Sequence, residues 1–388
     1  MPADIRNDVP LLPAYGVQGR NHSVSGLSSG AFLTVQLHLA HSSRFAGAGI
    51  IAGGPYRCAE SFRGAAPAAE DACMLSALYI AMSPLTSFVG PKPSHLADLA
   101  RATAAAQKID PIGNLAEQRL YIFTGSEDKV LSPLVVKGTY EFYRELGVPE
   151  ANILFVNDIP AGHSILTANP EDLPLGANQP PYLNYSGDHG QPAYMQSHRL
   201  LEQIYPESKP PADVLTGKLL RFDQTEFVDG PFEGASMFPY GYVYIPGAVL
   251  RGERKAEAVH IALHGCKQGL GYVNFVYGRA DVANQPPYGN RYVTTTGYNS
   301  FAESNDIIVL YPQATGDDSD VMNPDGCWDW WGYTDAASDE PDYYSQGAVQ
   351  IKAISRMLDR LCDEPARPTV TKALAAPPAA APAEVTAL

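Results

Sequence analysis

Three residues in this chain occupy settings that suit acyl-transfer chemistry: Ser28, Asp128 and His163. Ser28 is the centre of Gly26-Leu27-Ser28-Ser29-Gly30, a G-x-S-x-G pattern. A serine hydroxyl is a weak nucleophile until an imidazole takes its proton, and the imidazole needs a carboxylate to fix its tautomer and stabilise its charged form. Small residues on both sides of the serine allow a sharp turn and keep the approach to the hydroxyl open. The backbone N–H of Ser29, one position on, is placed to help hold an oxyanion, while its hydroxyl makes Ser29 the rival nucleophile. Because the expected use of Ser29 is through its backbone, Ser29→Ala is expected to be mild.

Asp128 closes the turn Thr124-Gly125-Ser126-Glu127-Asp128 after the apolar run Leu120 to Phe123, with Glu127 as the adjacent rival acid. His163 closes Pro160-Ala161-Gly162-His163 after the run Ile153 to Val156. Serine, acid, histidine is the chain order expected when the nucleophile sits on a strand-to-helix elbow. His189 is a second candidate for the base. His38, His41 and His260 lie on or beside regular elements, where a satisfied structural imidazole is the commoner case. His264 opens His264-Gly265-Cys266, a His-Gly turn that suits the second half of an oxyanion hole, with the Cys266 N–H as donor.

The elements that must hold these groups follow from periodicity. His22 to Ser25 reads as a strand, Ala31 to Ala40 as a helix and Phe45 to Ala52 as a strand, so the serine falls between strand and helix. Leu120 to Phe123 reads as a buried strand and Ile153 to Val156 as a further strand, with a helix from about Pro133 to Leu146 between them. After a Pro-, Asn- and Gly-rich stretch from Asn169 to Gln191, strands return at Tyr242 to Ile245, His260 to Leu263 and Ile307 to Tyr311. A closing helix runs from about Ser345 to Leu361. Alternating strands and helices predict an α/β fold with a mostly parallel sheet covered by helices. Residues 1–365 are expected to form one catalytic domain. The Ala/Pro-rich string Ala366 to Leu388 is expected to be a disordered tail or linker.

The chain has 388 residues, 45% hydrophobic, and a formal net charge of -15. So acidic a surface repels nucleic-acid phosphates and anionic lipid, so neither nucleic acid nor membrane is an expected partner, and a monomer is expected. The five cysteines, Cys58, Cys73, Cys266, Cys327 and Cys362, lack the paired spacing of a zinc site, and no metal or cofactor is expected. Cys58 with Cys73 and Cys266 with Cys327 are the expected disulfides, leaving Cys362 over; five buried thiols are the alternative. No basic and apolar leader is evident at the N-terminus, yet two disulfides would suit an extracellular or periplasmic protein.

Taken in order, GLSSGAF, AGGPYRCA (Ala52 to Ala59), TGSEDKV, the PAGH loop, LHGC and GCWDWWGY (Gly326 to Tyr333) resemble the extracellular poly(3-hydroxybutyrate) depolymerases, over most of residues 20 to 362. LHGC follows both Asp128 and His163, which resembles the circularly permuted, fungal-like branch. The resemblance implies an α/β-hydrolase fold, and a serine esterase cutting polyhydroxyalkanoate chains or oligomers through an acyl-enzyme. It also implies Ser28, Asp128 and His163 as the triad and the N–H groups of Ser29 and Cys266 as the oxyanion hole. Trp328, Trp330 and Trp331 would then line the substrate subsites. The alternatives are an esterase for feruloyl or acetyl groups on polysaccharide, or a non-catalytic polyester-binding protein.

Overall fold

The computed structural model describes residues 9–19, 21–61, 73–74, 90–187, 192–270, 288–316, 323–338 and 340–365. The tail from Ala366 and the candidate base His189 lie outside them. An eight-stranded sheet organises these residues. Its strands are β1 (His22–Leu27), β2 (Phe45–Ile51), β3 (Arg119–Phe123), β4 (Ile153–Val156), β7 (Lys218–Asp223), β8 (Tyr240–Ile245), β9 (Ala258–Leu263) and β10 (Ile307–Tyr311). They lie in the order β4-β3-β2-β1-β9-β10-β8-β7, while β5 (Ile165–Thr167) pairs with β6 (Leu183–Tyr185) in a separate ribbon. β4 to β10 run parallel, and β8 is antiparallel to both β10 and β7. This is the mostly parallel α/β sheet that the alternating pattern predicts.

β1 stands at the centre because every one of its residues is buried, as expected of a strand covered on both faces. The helix α1 (Ser29–Ala40) follows it without a break and is buried all round, so it packs between the sheet and an outer layer. That outer layer includes α7 (Val349–Cys362), whose Ile351, Ile354, Met357, Leu358 and Leu361 are buried. The chain enters on β1 and β2, whereas the strand on the other side of β1, β9, arrives more than 200 residues later. This is the permuted order that LHGC, placed after His163, predicts.

Most elements begin or end one or two residues from the sequence reading. β4 and β10 match it, and the closing helix begins at Val349 rather than Ser345, because the Ser345 hydroxyl bonds the Asp342 carboxylate at 2.5 Å in a turn that precedes the helix. Not foreseen were β7, the β5–β6 ribbon, α2 (Pro93–Ala105) and α4 (Gln196–Ile204). Cys58 and Cys73 are disulfide-bonded, as are Cys266 and Cys327, and Cys362 is free. No helix among the described residues is long and apolar enough to cross a membrane.

Candidate active site

Ser28 sits between the last residue of β1 and the first of α1 with φ 57° and ψ -124°, a conformation that L residues rarely adopt. The two flanking glycines permit it. A Cβ on Gly26 would lie 2.3 Å from the Gly30 carbonyl, and one on Gly30 would lie 2.4 Å from the carbonyl oxygens of Leu263 and His264. A side chain at Gly26 would push the start of α1 off β1, and one at Gly30 would force the elbow away from the end of β9. The Ser28 N–H donates to the Ile51 carbonyl at 3.0 Å, which ties the turn to the end of β2.

Asp128 and His163 leave the sheet from the ends of β3 and β4. Their side chains are almost wholly buried, and Asp128 Oδ2 lies 2.8 Å from His163 Nδ1. The other carboxylate oxygen accepts the N–H groups of Val130 and Leu131, both at 2.9 Å. With its acceptor capacity used in this way, the carboxylate requires a proton on Nδ1 and leaves Nε2 as the basic nitrogen of the neutral ring. Glu127, the rival acid, is exposed and takes no part in this pair.

Ser28 and His163 line one cleft of about 340 Å³ together with Ser29, Cys266 and an apolar wall that includes Phe32, Val130, Tyr182, Trp330 and Trp331. Trp330 stacks on Phe32 with ring centroids 4.4 Å apart, Trp331 meets Trp330 edge-on at 5.1 Å, and Tyr182 stands edge-on to His163 at 5.3 Å. Of the three tryptophans expected to line subsites, Trp328 does not. Its ring is fully buried, 5.4 Å from that of His264, and turned away from the cleft lining. Trp328 serves the core, while Trp330, two residues on, lines the cleft.

Ser29 contributes more than its backbone. Its Oγ accepts the Trp328 N–H at 3.2 Å, so the hydroxyl of the rival nucleophile holds the aromatic segment. That segment is fixed again by Asp329. One of its carboxylate oxygens accepts the N–H groups of Trp331 (3.2 Å), Gly332 (2.7 Å) and Tyr333 (3.2 Å), and the other accepts the N–H (3.0 Å) and hydroxyl (2.5 Å) of Thr334.

The turn after β9 lies against the elbow: a Cβ on Gly265 would be 3.2 Å from Ser28 Cβ. His264 Nε2 accepts the Ala314 N–H at 3.1 Å, so Nδ1 carries the proton and donates to the Gly265 carbonyl at 2.7 Å. Burial lowers the pKa of His264 to about 4, which keeps it neutral and in this tautomer. In a planar trans peptide the Cys266 N–H points opposite to the Gly265 C=O, hence away from the His264 ring. The disulfide to Cys327 tethers the turn to the aromatic segment.

Of the histidines expected to be structural, His38 and His260 are fully bonded, whereas His41 Nε2 is buried without a hydrogen-bond partner among the described residues. His38 bonds the Tyr143 hydroxyl at 2.9 Å and Gln118 Oε1 at 2.6 Å, and His260 bonds Ser23 Oγ at 2.7 Å and Ser25 Oγ at 2.8 Å. Tyr182, Phe32 and Val130 were not foreseen in the site. Phe32, four residues beyond Ser28 in α1, could have been placed there by helical spacing; Tyr182 has no such signal.

A strained serine on a strand-to-helix elbow, beside a buried Asp-His pair at the carboxyl edge of a mostly parallel sheet, defines the α/β-hydrolase class. Within that class, the chain is similar to the polyhydroxybutyrate depolymerases. It is 33% identical over 353 residues to a poly(3-hydroxybutyrate) depolymerase of Delftia acidovorans, covering 90% of this chain and 61% of that protein. It is 29% identical over 360 residues to a polyhydroxybutyrate depolymerase of Talaromyces funiculosus, covering 88% of this chain and 90% of that one. The fold superimposes on the crystal structure of the PHB depolymerase from Penicillium funiculosum with a TM-score of 0.72 at 28% identity, covering 91% of this chain and 98% of the other. A PHB depolymerase in complex with an (R)-3-hydroxybutyrate trimer gives a TM-score of 0.71 at 27% identity, with the same coverage. No family model matches the sequence.

Proposed function

We propose that this protein is a serine esterase that hydrolyses ester bonds of poly(3-hydroxybutyrate) chains or their oligomers. The observation that carries this reading is the buried Asp128–His163 pair at 2.8 Å, sharing an apolar, aromatic-walled cleft with Ser28. His163 Nε2 takes the Ser28 proton as the oxygen attacks the ester carbonyl. The N–H groups of Ser29 and Cys266 receive the oxyanion, and His163 returns the proton to the departing hydroxyl oxygen. Water then enters, His163 takes one of its protons, and the acyl group leaves as the free acid with Ser28 restored. A polyester repeat offers methyl and methylene groups to the rings of Trp330 and Trp331 and one ester carbonyl at a time to the donors.

The named relatives support the substrate class, since one of the similar structures holds an (R)-3-hydroxybutyrate trimer. Two disulfides support an extracellular or periplasmic setting. The test is release of acid from soluble 3-hydroxybutyrate oligomers compared with feruloyl and acetyl esters. The proposal expects the oligomers to give the higher kcat/KM, and a preference for feruloyl or acetyl esters overturns it.

A further inference from the structure

Asn178 lies between β5 and β6, and its side chain touches both loops that carry the Asp-His pair. Its Oδ1 accepts the N–H of Lys129 at 2.9 Å and the N–H of His163 at 2.9 Å. Its Nδ2 donates to the carbonyls of Glu127 at 3.1 Å and Gly176 at 2.9 Å. Two N–H groups on one side and two carbonyls on the other admit a single orientation of the amide and use all of its hydrogen-bonding capacity. Glu127 and Lys129 flank Asp128, so one side chain grips the acid from both sides and the base at its own backbone.

The two loops also meet through backbone bonds, Ser126 N–H to Ile159 (2.8 Å) and Glu127 N–H to Ala161 (3.1 Å). Those contacts stop short of the reacting residues, and the Asn178 amide extends the tie to His163 itself. An aspartate in its place would keep an oxygen for the two N–H groups but set its second oxygen against the two carbonyls in place of a donor; an alanine would lose all four contacts.

We propose that Asn178 is a positioning residue that sets Asp128 and His163 relative to each other and thereby aims His163 Nε2 at Ser28. The inference rests on the catalytic reading given above. A displacement on the order of 1 Å in such a constellation lowers rate by up to about 100-fold.

The test compares Asn178→Ala, Asn178→Asp and the neighbouring control Gln179→Ala with the parent protein. Labelling of the parent by a serine-directed phosphonate comes first, because no label at all sinks the catalytic reading rather than this one. With the parent labelled, Asn178→Ala is expected to lower kcat on soluble oligomers by about 10- to 100-fold with KM within about twofold. The strongly deshielded His163 Nδ1 proton should broaden or vanish in its NMR spectrum. Asn178→Asp should recover part of kcat, and Gln179→Ala should match the parent. If Asn178→Ala does not fold, Asn178→Asp carries the comparison and must still fall below the parent in kcat. An unchanged kcat and an unchanged Nδ1 proton in the folded variant, or a loss confined to KM, overturns the proposal.

Discussion

The side chain of Ser29 and the backbone of Trp328 are joined by a 3.2 Å hydrogen bond, so the residue after Ser28 also anchors the wall of the cleft. Ser29→Ala removes that acceptor from a buried N–H, which costs roughly 1–3 kcal/mol. The expected result is a lower unfolding midpoint and a several-fold higher KM for oligomers, with kcat largely kept. Equal stability and KM for parent and variant would show that the bond does not hold the aromatic segment.

Asp329 is the stronger anchor of the same wall. Burial pushes its pKa up, while hydrogen bonds from Thr334, Gly332 and Trp331 oppose that shift. Asp329→Ala leaves four N–H groups and a hydroxyl without their acceptor. The expected loss is at least about 3 kcal/mol of stability in urea unfolding, with a change in tryptophan emission as Trp330 and Trp331 shift. Parent-like emission and midpoint would contradict the role given to this carboxylate.

Cys266 and Cys327 join the turn after β9 to the aromatic segment. Replacing both with Ala is expected to reduce stability by about 2–4 kcal/mol. It should lower kcat more than it raises KM, because the turn that lies against Ser28 loses its tether. Calorimetry with steady-state kinetics checks it; a variant that loses stability but no kcat would mean that packing alone orients the turn.

Acid should unfold the protein through its buried histidines. Burial lowers His38 and His264 to about 4 and His260 to about 3, and burial with the nearby Arg44 lowers His22 to about 4, against an unfolded value near 6.5. The unfolded chain therefore binds more protons than the folded one below pH 6.5. Stability is complete above that pH and falls as pH drops towards 4, by roughly 1.4 kcal/mol per pH unit for each such ring. The melting temperature should fall steeply across this window, and His260→Gln should flatten the slope. A melting temperature that is level from pH 7 to pH 4 would contradict the assignment.

How much could be read beforehand depended on whether a residue's role is local. The elbow was legible because Gly26 and Gly30 are demanded by backbone contact within the motif and with β9. Asp128 and His163 were legible because each ends a loop that follows a strand, at the edge where parallel sheets form sites. Asn178 was not, since it lies in a Pro-, Asn- and Gly-rich stretch without periodicity and acts on residues 15 and 49 positions away. Trp328 was misplaced because a cluster of aromatic residues signals burial or binding without saying which way each ring faces. β7 was missed because its sequence KLLRFD belongs to an edge strand, where partial exposure blurs the hydrophobic alternation.

The central claim is that Ser28, activated by His163, forms the acyl-enzyme. Intact-mass and peptide mapping after a serine-directed fluorophosphonate tests it most directly, in the parent, Ser28→Ala and Ser29→Ala proteins. One adduct on Ser28 is expected in the parent and in Ser29→Ala, none in Ser28→Ala, and a kcat on 3-hydroxybutyrate oligomers lower by about 10⁴ to 10⁶ in Ser28→Ala. An adduct on Ser29, or parent-like turnover by Ser28→Ala, would contradict the account.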